Sequence, residues 1–126
     1  MDKNELLSNF GELLISSVRD RVLEIDDLIL SGRMGGSENQ EFYDRAKNRT
    51  KDEIELIKKF ALQAVDSTLH YFLWMIEQNE EYDLIKYTEG KDEFVSLRDI
   101  SDGLCGELYA DNGWIEKYSE YPASIK

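Results

Sequence analysis

One cysteine, one histidine and one proline occur in 126 residues, and each scarcity excludes something. Cys105 alone closes no internal disulfide, and with His70 as the only imidazole it builds no zinc site of the usual four-ligand kind. That usage fits a reducing, cytoplasmic setting. The single proline, Pro122, lies near the C-terminal end, so long uninterrupted helices are permitted. No apolar run approaches the ~18 residues that cross a bilayer. The opening MDKNELLSNF carries acidic residues where an export signal has a basic region followed by an apolar one. Neither export nor membrane insertion is expected. The glycines Gly35, Gly36, Gly103 and Gly106 match neither a G-x-G-x-x-G fingerprint nor a phosphate loop ending in GK[ST]. No nucleotide, other cofactor or metal is expected.

Positive charge is also short. The chain has 15 Lys and Arg against 27 Asp and Glu, a net charge of −12 and a pI near 4.4. Nucleic-acid binding draws on Lys and Arg that displace counterions from phosphates, so nucleic acids and anionic membranes are unsuited partners. The same charge steers a basic protein partner towards the surface, or simply keeps the chain soluble.

What remains is 41% hydrophobic and 11% aromatic, enough for one domain with a real core. Leu7, Phe10, Leu14, Val18, Val22, Ile25 and Ile29 recur at steps of three and four, which predicts a helix over about 4–31. Asp2 or Asn4 caps its start, Gly11 weakens it, and Ser31-Gly32 stops it. Residues 32–40 read as a loop. A second helix is predicted over about 41–79 from Ile54, Ile57, Ala61, Val65, Thr68, Phe72 and Ile76. Its polar first part projects, breaks or packs on another chain, and such an extension is a common dimer device. The β-leaning segments DLIKYT and EFVSL flank EGKD and predict a hairpin within about 83–97, with short helical turns over 99–121. The expected fold is mainly α, of the α+β class, with two long amphipathic helices and a small hairpin.

Charge is uneven. Residues 1–32 sum to −4, residues 33–59 to +1 and residues 60–126 to −9. The basic stretch Arg45, Lys47, Arg49, Lys51, Lys58 and Lys59 either answers the acidic half of a neighbouring copy or is a solvated helix face. Chemistry has few candidates. His70 follows Asp66 by four residues, a spacing at which a carboxylate orients an imidazole for a small hydrolase or metal enzyme. A histidine packed beside Tyr71 and Trp74 is the simpler expectation. Cys105 lies in an apolar, acidic neighbourhood that raises a thiol pKa, which suits a buried residue better than a nucleophile.

The C-terminal half holds most of the aromatics, with Phe72 and Trp114 expected inside, interleaved with carboxylates. Aromatic anchors with a charged rim give protein interfaces both affinity and fast association. The candidate partner-binding residues are therefore Glu80, Glu81, Asp83, Glu89, Asp92, Glu93, Asp99, Asp102, Tyr109 and Asp111.

The segment DISDGLCGELYADNGWIEKYSEY, residues 99–121, has a glycine-punctuated acidic character, a Gly-Trp-Ile step and a closing Tyr-Ser. In this it resembles the C-terminal segments of small bacterial immunity proteins of polymorphic toxin systems. The resemblance implies a non-enzymatic cytoplasmic protein that binds a basic toxin domain and blocks it. It carries no functional residue over position by position. A helical homo-oligomer such as a homodimer, with a structural or regulatory role, is the alternative drawn from the long second helix.

Overall fold

The computed structural model describes residues 2–88, 90 and 93–124. It is mainly helical with one small antiparallel sheet, an α+β arrangement. Helix α1 (Lys3–Leu14) starts at Asp2, whose Oδ1 accepts the Glu5 N–H at 2.9 Å. It runs through a π turn (Ile15–Arg19) into α2 (Asp20–Leu30). The Asp20 N–H reaches back to the Ile15 carbonyl, the five-residue step of a π turn. Buried positions along this unit are Leu7, Gly11, Ile15, Arg19 and Leu23, four apart throughout. Steps of four drift around a regular helix, and the extra residue in the π turn takes up part of that drift. Arg19 is thereby turned inward, while Val18 and Val22 of the expected stripe lie 44% and 38% exposed.

Helix α2 stops where Gly32 adopts φ 75°. The Gly32 N–H donates to the Ile29 carbonyl and the Arg33 N–H to the Leu28 carbonyl, a Schellman ending. The expected loop over 32–40 is shorter than its glycines suggest, because α3 (Ser37–Ala46) begins inside it. Gln40 Nε2 ties the turn by donating to the Met34 carbonyl at 2.7 Å.

Nor does one helix span 41–79. Residues 47–50 separate α3 from α4 (Lys51–Gln78), and a capping box makes the break. Thr50 Oγ1 accepts the Glu53 N–H at 3.1 Å, while the Thr50 N–H donates to Glu53 Oε1 at 3.2 Å. The Thr50 N–H, followed by the Thr50 side chain, holds the Glu53 carboxyl below its usual range. The core-facing line of α4 also differs from the expected one. It is Asp66, Leu69, Leu73 and Ile76, whereas Phe72 is 45% exposed. A charged residue at the inner position breaks the apolar pattern and disguises this register.

Strands β1 (Ile85–Tyr87) and β2 (Phe94–Ser96) pair antiparallel, with Ile85 opposite Ser96 and Tyr87 opposite Phe94. Short helical segments follow: α5 (Leu97–Ile100), a 3₁₀ turn (Cys105–Leu108) and α6 (Trp114–Tyr118). Leu73, Leu104 and Leu108 meet Ile15, Trp114 and Ile115 in the core. Trp114, buried as expected, crosses α1 at Gly11, where a Cβ would sit 2.4 Å from ring atoms. Phe10 meets the same ring edge-on at 5.7 Å.

Among the described residues, Arg19 and Asp66 are the buried charges, at 0% and 1% exposure. Arg19 Nε and Nη2 donate to Asp66 Oδ1 and Oδ2 at 2.6 and 3.2 Å. The remaining guanidinium N–H groups reach Ser119 Oγ, the Tyr121 carbonyl and the Pro122 carbonyl at 2.7, 3.0 and 2.9 Å. Asp66 Oδ2 also accepts the Ser124 N–H at 3.0 Å, and Asp20 Oδ2 accepts that of Glu120 at 3.0 Å. One ion pair thus joins the π turn, α4 and the C-terminal tail.

Arg19→Ala leaves Asp66 charged, buried and without its partner, and is expected to cost ~3–5 kcal/mol in chemical denaturation. A loss below ~1 kcal/mol is the contrary result. Gly11→Ala gains up to ~1 kcal/mol of helix propensity but overpacks a buried ring at ~1–3 kcal/mol. A lowered melting temperature is expected.

Candidate protein-binding surface

The segment after α4 is held by Arg98. Its Nη1 faces the carbonyls of Ile76, Asn79 and Tyr82 at 3.0, 2.6 and 3.0 Å, covering oxygens that the helix end leaves open. Its Nη2 lies 3.6 Å from Asp83 Oδ2. Asn79 Oδ1 accepts the Glu81 N–H at 2.9 Å, which tightens the turn. The chain therefore leaves α4 through a fixed elbow that presents Glu80, Glu81 and Tyr82 to solvent. Glu80 and Glu81 share a shallow groove with Trp74, Met75, Gln78 and Asn79.

Beyond the elbow, the Leu97 N–H donates to the Leu84 carbonyl at 2.9 Å and closes the root of the hairpin. Alternation along the strands puts Ile85, Tyr87 and Phe94 on one side. They are 38%, 54% and 64% exposed. The hairpin thus holds two solvent-facing aromatics directly across its strands, next in the chain to exposed Glu93.

The ten sequence candidates do not form one patch. Glu80, Glu81 and Glu93 are exposed on the elbow and hairpin, and Asp99 is exposed on α5 directly after β2. Asp83 is half-buried in its pair with Arg98. Asp102 lines a separate hollow with Asn4 and Trp114. Asp111 and Tyr109 line another beside the tail. Tyr109 is half-buried and its hydroxyl donates to the Asp66 carbonyl at 3.3 Å, so it braces the core more than it meets solvent. Burial raises its pKa. Glu89 and Asp92 lie outside the described residues. The candidate set omitted Tyr82, Ile85, Tyr87 and Phe94, although strand alternation around EGKD marks the last three as neighbours on one side.

The catalytic candidates are otherwise engaged. Both Asp66 oxygens accept from Arg19, and Oδ2 also from Ser124. His70 instead packs against Tyr71 and Tyr109, with ring centroids 5.0 and 6.0 Å away. Among the described residues no three His, Cys, Asp or Glu side chains are grouped to hold a metal ion. A hollow of about 450 Å³ between α2, α3 and α4 is lined by Ile29, Phe42, Ile57 and Ala61, with Asp26 and Arg45 at its polar edge. Burial, with the adjacent Asp27 carboxylate, pushes Asp26 up. Among the described residues no helix is long and apolar enough to cross a membrane.

Compared with known proteins, the chain matches no family model, and no curated protein or solved structure matches it.

Cys105 accounts for the remaining reactive group. Its N–H donates to Glu77 Oε1 at 2.6 Å, and burial, followed by the Glu77 carboxylate, pushes the thiol up. The thiolate fraction at neutral pH is therefore below that of an ordinary cysteine. Alkylation of the native protein at pH 7 should run slower than that of the unfolded chain and accelerate only at more alkaline pH. Equal rates for native and unfolded protein contradict this environment.

Proposed function

We propose that the chain is a non-enzymatic protein-binding module that docks a basic protein through its elbow and hairpin. The observation that carries this reading is the exposed Tyr87–Phe94 pair on the hairpin, in a segment that also exposes Glu80, Glu81 and Glu93. Two aromatics held by strand pairing lose little freedom when covered, and so are efficient anchors. Exposed carboxylates on a chain of charge −12 speed encounter with a positive surface. The more specific form of the proposal is an immunity protein, neutralising a basic toxin domain in the cytoplasm by covering its active site or substrate path. The likeness of residues 99–121 to such proteins supports it, and so does the acidic surface, which mimics the charge of a nucleic-acid substrate.

The test uses the intact protein, Tyr87→Ala/Phe94→Ala and Glu80→Lys/Glu81→Lys as baits in native lysate at low and high salt. The wild type should retain one stoichiometric basic protein, lost at high salt and from both variants. That protein should arrest growth when expressed alone and be harmless when co-expressed with the wild type. Equal recovery on all three baits, or a retained protein with no toxicity to relieve, overturns the surface or the immunity reading respectively.

A further inference from the structure

Helix α4 is amphipathic twice over. Opposite the line that meets the core, Leu56, Phe60, Tyr71 and Trp74 face solvent at 68%, 72%, 64% and 47% exposure. Phe60, Ala64, Ser67, Tyr71, Trp74 and Gln78 follow one another at steps of four, three, four, three and four, the spacing of a helix–helix seam. Between Phe60 and Ile76 the only Asp, Glu, Lys or Arg is Asp66, and it is buried. A third of this chain is charged, yet more than four turns of its longest helix expose no such side chain. That neutral face is poorly suited to a basic partner, which would seek carboxylates. It is suited to another molecule of the same chain, because two copies of charge −12 meet there without bringing like charges together.

We infer that the outer face of α4 binds the same face of a second copy, antiparallel, about a two-fold axis at the level of Leu69. The 4-3-4-3-4 spacing reads the same in both directions, as a two-fold seam requires. In this register Ala64 lies opposite Trp74 of the second copy and Ser67 opposite Tyr71, so each layer sets a small side chain against a large one. Phe60 covers Gln78 of the second copy. Charge follows the same order. Lys59, exposed at the N-terminal end of the seam, comes to the level of Asn79 and exposed Glu80 of the second copy, whereas a parallel pair would stack like on like. Twice over, then, the antiparallel arrangement is the complementary one.

Sedimentation equilibrium of the purified chain should give a dimer mass that persists at high salt, unlike the salt-sensitive binding proposed for the hairpin. Phe60→Asp and Tyr71→Asp replace exposed side chains, so the circular dichroism should be unchanged while self-association weakens by more than about thirtyfold, the loss of a hot-spot aromatic. Orientation is read in a Cys105→Ser background. Phe60→Cys mixed with Gln78→Cys should cross-link to each other under mild oxidation, and neither should link efficiently to itself. A monomer mass at every concentration, a dimer unaffected by both aspartates, or self-linking of each cysteine variant overturns the proposal. So does capture on this face of a different protein by a chain that stays monomeric alone.

Discussion

The Arg19–Asp66 ion pair is the interaction on which the rest of the structure depends. Burying two opposite charges costs several kcal/mol each unless every donor and lone pair is answered. Here all five guanidinium N–H groups have acceptors, and three of these come from the tail. A lysine in this place would supply charge without the planar fork that reaches α4 and the tail together. Ala123 packs against the core, and polar contacts to Arg19, Asp20 and Asp66 hold the rest of the tail on the body. The π turn belongs to the same requirement, because it keeps position 19 facing α4 after three turns of regular helix.

With the interior closed this way, α4 becomes a shared wall. Its inner line, Leu69, Leu73 and Ile76, completes the core with Leu104 and Leu108. Its outer line, through Phe60, Tyr71 and Trp74, lies outside that core and carries no charge. The same separation holds at the hairpin, where Leu97 and Leu84 root the strands while Tyr87 and Phe94 stay outside. Large aromatics that the fold does not bury have a cost in solubility, and a charge of −12 offsets it. The two surfaces differ in character, the outer face of α4 being uncharged from Phe60 to Ile76 and the elbow and hairpin exposing Glu80, Glu81 and Glu93.

Much of this was legible from residue spacing. The first helix, its Gly32 stop, the hairpin and the buried Trp114 follow from periodicity and turn chemistry. The break at residues 47–50 was also written in the chain, as Thr50 and Glu53 three residues apart, but the helical residues on both sides outweighed it. Arg19 and Asp66 were not legible as core positions. Charged residues interrupt an apolar stripe, so the neighbouring lines through Val18 and Phe72 looked better. Individual surface carboxylates were easy to nominate. Their grouping was not, because Asp102 meets Asn4 and Asp111 meets the tail only once the chain has folded.

This ion pair makes the tail part of the cooperative fold. Native-state amide hydrogen exchange on the unmodified protein tests it most directly. The amides of Glu120 and Ser124, bonded to Asp20 and Asp66, should open with a free energy close to that of the α4 core amide of Leu73. Exchange of both tail amides at the rate of an unstructured peptide, with Leu73 still protected, would contradict it.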